Sequence, residues 1–448
     1  MKRSAMMRTL AWLWVPMLVA CGTTVPKPVV GPPRAKQTKN PPAVKLVMEP
    51  IRLQAVPGPD GPEVKVVDAG GLFEKGGQLL SGKKYREALK FYDQLLQGFP
   101  ASRFVSPTLY NAGLCHEWLG QFQQAATRYK ELIGRFGQTK EAVDAGFRLG
   151  GCYAEVHNWA ASAQVFQVLL LRQELSATDR IEAFARKGLA HFRLGDARAA
   201  KSTLEETVRY HHSIEAVERL DSDFFLAMAH YYLAAIPHVE FRKLELDPRG
   251  KKRDMARALD DKARLLILSQ ARYIKTIKVK NPYWATASGF QVGSLYREFY
   301  TTLLTSLPDF TPHAQRNAKR ARITVEEARK QLVQVYMEEV HKTVKPLLRK
   351  AIRVFERNVE MGERVNVQSN WVGKSRQQVQ DLKHLLSLSP KDAVELVRKG
   401  KQLPEDQEAT PVPDKQQGAP TTRPVHHNQP SVPAPPREDP DEPGRVVL

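Results

Sequence analysis

The chain has 448 residues, 42% of them hydrophobic, and a formal net charge of +20. That length allows two or three domains, and such a charge would direct a cytosolic protein to nucleic acid. If the chain is exported, as the residues at its start imply, nucleic acid is not an expected partner. The anionic partners open to it are lipid head groups, lipopolysaccharide, cell-wall polymer and acidic proteins.

Lys2, Arg3 and Arg8 precede an apolar run from Leu10 to Ala20. That run falls short of the roughly 20 residues a helix needs to cross a bilayer. A basic start with a short apolar core is the layout of a secretory signal. Leu18-Val19-Ala20-Cys21 resembles a bacterial lipobox. The resemblance implies that residues 1–20 are a cleaved lipoprotein signal and that Cys21 carries lipid. Several acyl chains anchor a protein stably, since each buried methylene adds about 0.8 kcal/mol. Gly22, where Asp would favour the inner membrane, implies the outer membrane with the protein facing the periplasm.

Residues 21–66 hold ten of the 31 prolines and residues 402–448 hold eleven. Both segments are expected to be disordered or extended, a lipid-anchored linker and a tail. The runs "VKLVMEP" and "EVKVV" stand out in the linker as β-prone.

Between them lies a repeat. "KKYREALKFYDQLLQGFP" aligns with "GQFQQAATRYKELIGRFG", then with "HNWAASAQVFQVLLLRQ" and "GDARAAKSTLEETVRYH". The small residues Ala88, Ala125, Ser162 and Ala200 are each followed four positions on by Tyr92, Tyr129, Phe166 or Leu204. Twelve positions before each small residue lies Gly76, Gly113, Gly150 or Gly188, in steps of 37, 37 and 38 residues. The pattern resembles the tetratricopeptide repeat, two antiparallel helices per unit. The fold class expected is therefore all-α, a solenoid of helical hairpins, with four repeats over 67–215.

Residues 216–401 are expected to hold degenerate repeats with insertions and capping helices. A basic helix over about 252–279 places Leu259, Ala263, Leu266, Ile267, Ile274 and Ile277 on one stripe. Gly293 and Tyr296 take first-helix places; Ala351 and Phe355 take second-helix places in a partner over 345–362, after an extra helix over about 313–342. The units over 83–173 are similar to those of the outer-membrane β-barrel assembly lipoprotein and the Tol–Pal-associated periplasmic protein. "NPYWATASGFQVGSLYREFY" and "PLLRKAIRVFERNVEMGERVNVQSNWVGKS" are similar to repeat lipoproteins of myxobacterial envelopes, some linked to gliding motility.

Stacked hairpins form a curved face lined by first helices. In this repeat family the positions one turn from the packing glycine face that groove. Here they are Phe73, Leu80, Tyr110, Leu114, Glu117, Trp118, Phe147, Leu189, Phe192 and Arg193. The set suits an amphipathic helix or an extended peptide. An anionic contact is expected along Lys251, Lys252, Arg253, Arg257, Arg264 and Arg272, with Lys262 on the same stripe.

Chemistry is scarce. "GQLLSGKK" approaches a phosphate-binding loop, but Lys84 stands where Ser or Thr would hold magnesium. His211-His212 and His426-His427 are adjacent pairs, joined by no Cys or Glu cluster, so no metal site is expected. Cys115 and Cys152 take equivalent places on neighbouring first helices, ~8–10 Å apart between axes. A disulfide needs Cα atoms within about 7 Å, so two buried thiols are expected. Neither a cofactor nor a catalytic group is nominated. The reading is a periplasmic interaction scaffold on an outer-membrane lipoprotein, in an envelope complex such as a gliding machine. An accessory factor in outer-membrane protein assembly is the alternative, and an enzyme acting on wall polymer is the competing class.

Overall fold

The structure, a computed structural model, describes residues 50–399 except 59–60, 218–219, 221, 248–251 and 368. The expected signal over residues 1–20, Cys21, Lys251, the Pro-rich tail and most of the stretch expected as linker lie outside the described residues. Among the described residues a two-stranded ribbon leads into a stack of packed helices.

The ribbon pairs β1 (Ile51–Gly58) with β2 (Gly61–Asp68) in antiparallel register, Leu53 opposite Val66 and Ala55 opposite Val64. The stretch expected as linker thus ends in a regular hairpin. Alternation in "IRLQA" and "EVKVV" is the cause, because successive residues of a strand face opposite ways. Asp68 closes the ribbon and caps the first helix, its side chain accepting from Gly71 N at 2.8 Å.

Four hairpins follow: α1 (Ala69–Ser81) with α2 (Tyr85–Gly98), α3 (Val105–Trp118) with α4 (Phe122–Phe136), α5 (Lys140–Glu155) with α6 (Trp159–Leu170), and α7 (Ala177–Arg193) with α8 (Ala197–Glu215). Each turn contains one left-handed residue: Lys83 (φ 59), Gly120 (φ 72), His157 (φ 57) and Gly195 (φ 80). The "GQLLSGKK" stretch is therefore the first inter-helix turn. Inside each hairpin the second-helix ring or branched side chain lies against the bare backbone of the first-helix glycine. A Cβ built on Gly113 would lie 2.5 Å from the Tyr129 ring, and Gly150 meets Phe166 and Gly188 meets Leu204 in the same way. Ala88, Ala125 and Ala200 are fully buried beside these contacts. Cys115 and Cys152 are buried and are not joined in a disulfide.

The second half is built from α9 (Phe224–Lys243), α10 (Lys252–Lys278), α11 (Pro282–Thr305), α12 (Thr311–Ala321), α13 (Val325–Arg364), α14 (Asn370–Ser387) and α15 (Pro390–Lys399). Its core is aromatic, with Trp284 against Tyr231 at 5.1 Å and Phe224 at 5.5 Å. The glycine contact recurs between Gly293 of α11 and Phe355 of α13. Two expectations need correcting. The extra helix expected over about 313–342 is broken at Arg322–Thr324 into α12 and the start of α13, and α13 runs on through 345–362 as one 40-residue helix with Pro346 inside it. Val344, Leu348 and Ala351 are buried around the proline, so packing outweighs one missing backbone hydrogen bond. In α10 the buried face is Lys262, Leu266, Ser269, Tyr273 and Thr276, whereas Leu259, Ile267 and Ile274 of the apolar stripe are exposed.

Candidate partner-binding surface

The ten groove positions do not form one open face. Tyr110, Leu114, Phe147 and Leu189 are buried. The reason is local: α3 packs against α1, α2, α4 and α5, so almost no side of it stays free. Phe147 meets Phe166 at 6.1 Å between ring centroids, and Phe192 meets Tyr232 at 5.2 Å. Phe73 stacks on Phe104 at 5.3 Å and is half-buried, as is Leu80. Arg193 lies over the Trp159 ring at 5.4 Å.

Glu117 acts as a structural hub. Tyr129 Oη donates to its Oε1 at 2.6 Å, and the Arg148 guanidinium pairs with its Oε2 at 3.2 Å. Arg148 Nε donates on to Tyr110 Oη at 2.9 Å. These bonds tie α3, α4 and α5 together in a partly buried setting, where charge-assisted hydrogen bonds are strongest. Of the ten positions, Trp118 remains open, 58% exposed and stacked on Tyr85 at 6.0 Å.

A larger apolar surface lies on the ribbon. Leu53 and Val64 are 69% and 68% exposed, and Ile51 and Val66 are also exposed. All four share one face of the pleat with Ala55. The opposite face is held down at its root: Val67 packs on the core of the first hairpins and Arg52 lies over Phe99 at 5.6 Å. Period-two alternation was the signal for this surface. It was readable in the sequence as strand, but not as an uncovered face.

The basic stripe divides. Arg253, Arg257 and Arg264 are exposed on α10. Arg272 is partly buried and donates to the Leu233 carbonyl at 2.8 Å, and Lys262 is buried with Nζ donating to the carbonyls of Phe241 and Leu244 at 2.6 and 2.8 Å. These last two serve the packing of α9; Lys262 satisfies carbonyls that the end of a helix leaves unpaired. Lys251 lies outside the described residues, and so does the side chain of Lys252. No described helix is long and apolar enough to cross a membrane.

A family model described as tetratricopeptide repeat matches residues 108–139, the hairpin in which Gly113 meets Tyr129. The chain is a tetratricopeptide-repeat protein. Such repeats imply protein partners. No curated protein matches the chain. Among solved structures it is similar to the C-terminal part of a TPR repeat-containing protein from Cytophaga hutchinsonii, at 12% identity, over 72% of this chain and 98% of that one, with a TM-score of 0.37. It is similar to a tetratricopeptide repeat protein from Parabacteroides merdae, at 12% identity, over 70% and 98%, with a TM-score of 0.33. It is also similar to MamA from Desulfovibrio magneticus RS-1, at 14% identity, over 45% and 96%, with a TM-score of 0.30. Likeness at this level says nothing about what this repeat protein binds.

Proposed function

We propose that this repeat protein is an interaction scaffold that holds another protein in a cell-envelope complex. The binding role rests on one observation, the uncovered apolar face of Ile51, Leu53, Val64 and Val66. An isolated ribbon with so much apolar surface in water is marginal by itself, and a protein that covers the face gains both its burial and its ordering. Trp118 offers a second apolar contact on the repeats. The compartment is supported by the sequence alone: Leu18 to Cys21 for a lipid anchor, Gly22 for the outer membrane, and the run over 281–386 for a motility-type envelope complex. The free outer edges of β1 and β2 favour a second reading, in which a partner strand adds to the ribbon, as an accessory factor in outer-membrane protein assembly would use.

Radiolabelled palmitate fed to cells is expected to enter the wild-type chain and not Cys21→Ala. Equal labelling of both contradicts the anchor. Leu53→Asp with Val66→Asp is expected to lose the co-purifying partner while the helical circular dichroism stays as in wild type.

A further inference from the structure

The last turn of α8 gathers groups that the scaffold role does not use. His211 is 1% exposed, and neither of its ring nitrogens makes a hydrogen bond. A buried imidazole with no hydrogen bond at either nitrogen is costly unless something takes up that bonding capacity. His211 Nδ1 and His212 Nδ1 both face Glu215 Oε2, at 3.8 and 3.5 Å. One ligand atom from each of the three residues lies within 4.8 Å of the others. The spacing follows from the helix: residues three and four apart share a face, so Glu215 unites two histidines that adjacency alone would splay apart. Glu215, one turn on from the pair, is the carboxylate that the expectation of no Cys or Glu cluster overlooks.

We propose that His211, His212 and Glu215 form a site for a zinc-class divalent cation. Tetrahedral zinc with bonds of about 2.0–2.1 Å sets its ligands about 3.4 Å apart, and the two observed separations need only small side-chain movement to reach that. Asp223 Oδ1 lies 3.3 Å from His211 Nε2 on the side away from Glu215. That is where a carboxylate orients a metal-bound imidazole and raises its basicity. The negative end of the α8 dipole adds to the attraction for a cation. His212 and Glu215 are exposed, which leaves an entry path. Through Asp223, the N-cap residue of α9, a cation bound here would link α8 to α9, where the four regular hairpins meet the second half.

The test uses the full chain stripped of metal and titrated with Zn2+ by calorimetry, with Co2+ as a spectroscopic probe of tetrahedral geometry. Wild type is expected to bind one equivalent of Zn2+, with a rise in thermal midpoint. Losing a group that merely orients a ligand weakens metal binding ~10–100-fold, so His212→Ala and Glu215→Gln should each weaken it at least ~10-fold. Both side chains are exposed, so the metal-free variants should unfold at the wild-type temperature. His426→Ala with His427→Ala should bind Zn2+ as wild type does. The proposal is overturned if wild type takes up no Zn2+, if His212→Ala and Glu215→Gln bind unchanged, or if the tail double variant removes the binding.

Discussion

Gly113 occupies a place where a methyl group does not fit, because a Cβ there would lie 2.5 Å from Tyr129. Gly151, on the next first helix, has open space around its Cβ direction. The two glycines therefore make opposite predictions. Gly113→Ala should destabilise by ~1–3 kcal/mol, the usual result of overpacking a filled core. Gly151→Ala should stabilise by ~0.4–1 kcal/mol by stiffening the unfolded chain and favouring helix. Urea unfolding followed by circular dichroism measures both; equal shifts of the same sign would contradict the packing described. At this scale the sequence was legible where sterics left no choice: each glycine fell twelve positions before its small residue, and each ring, or Leu204 in the fourth hairpin, four after. It was not legible at Tyr110, Leu114, Phe147 and Leu189, which are buried. Spacing along one helix does not say whether a neighbouring hairpin covers that side.

α10 shows the same limit for a whole element. Its helical period and its charge were readable, but not which stripe it buries. Tyr273 and Leu266 turn inward, with Lys262 drawn in to pair with the end of α9, and this rotates Ile267 outward to 64% exposure. The exposed side joins Leu259, Ile267 and Ile274 to Arg253, Arg257 and Arg264, the mixture that lies well on an anionic bilayer surface. Binding to vesicles containing phosphatidylglycerol is expected to weaken as salt rises, because exposed charges are screened, and to weaken further in Ile267→Asp. Binding that ignores salt contradicts an anionic contact. In α13 the sequence suggested a break near Pro346, and burial of Leu348 and Val344 against the neighbouring helices carried the helix through. The ribbon was legible as β-prone runs, while its uncovered face needed the register of Leu53 on Val66.

For the molecule as a whole, one buried polar network links helices distant in sequence. Arg242 of α9 binds Glu298 of α11 through Nε at 2.9 Å and Nη2 at 2.7 Å. His238 sits between Glu298 and Tyr273, 3.1 Å from each. Burial holds the His238 pKa below its usual value, against the pull of Glu298, because Arg242 already balances that carboxylate. Burial pushes Glu298 up, and the hydrogen bonds from His238 and Arg242, with the Arg242 charge, outweigh it and hold the carboxyl low. Both shifts have the same sign for stability. The unfolded chain takes up a proton on the histidine below about pH 6.5 and on the glutamate below about 4.3, before the folded chain does. Stability is therefore expected to fall steadily as pH drops from 7 toward 4, seen as a falling thermal midpoint. His238→Gln should flatten the upper part of that fall.

The central claim is that this stack of hairpins holds another protein through surfaces it leaves uncovered. Photocrosslinking in intact cells tests it most directly, with a photoreactive residue placed at Val66, Trp118 or, as a control on an exposed face of α13, Glu360. The account predicts a discrete adduct with a second protein from positions 66 and 118, absent from 360. No adduct from either site, or the same adducts from all three, would contradict it.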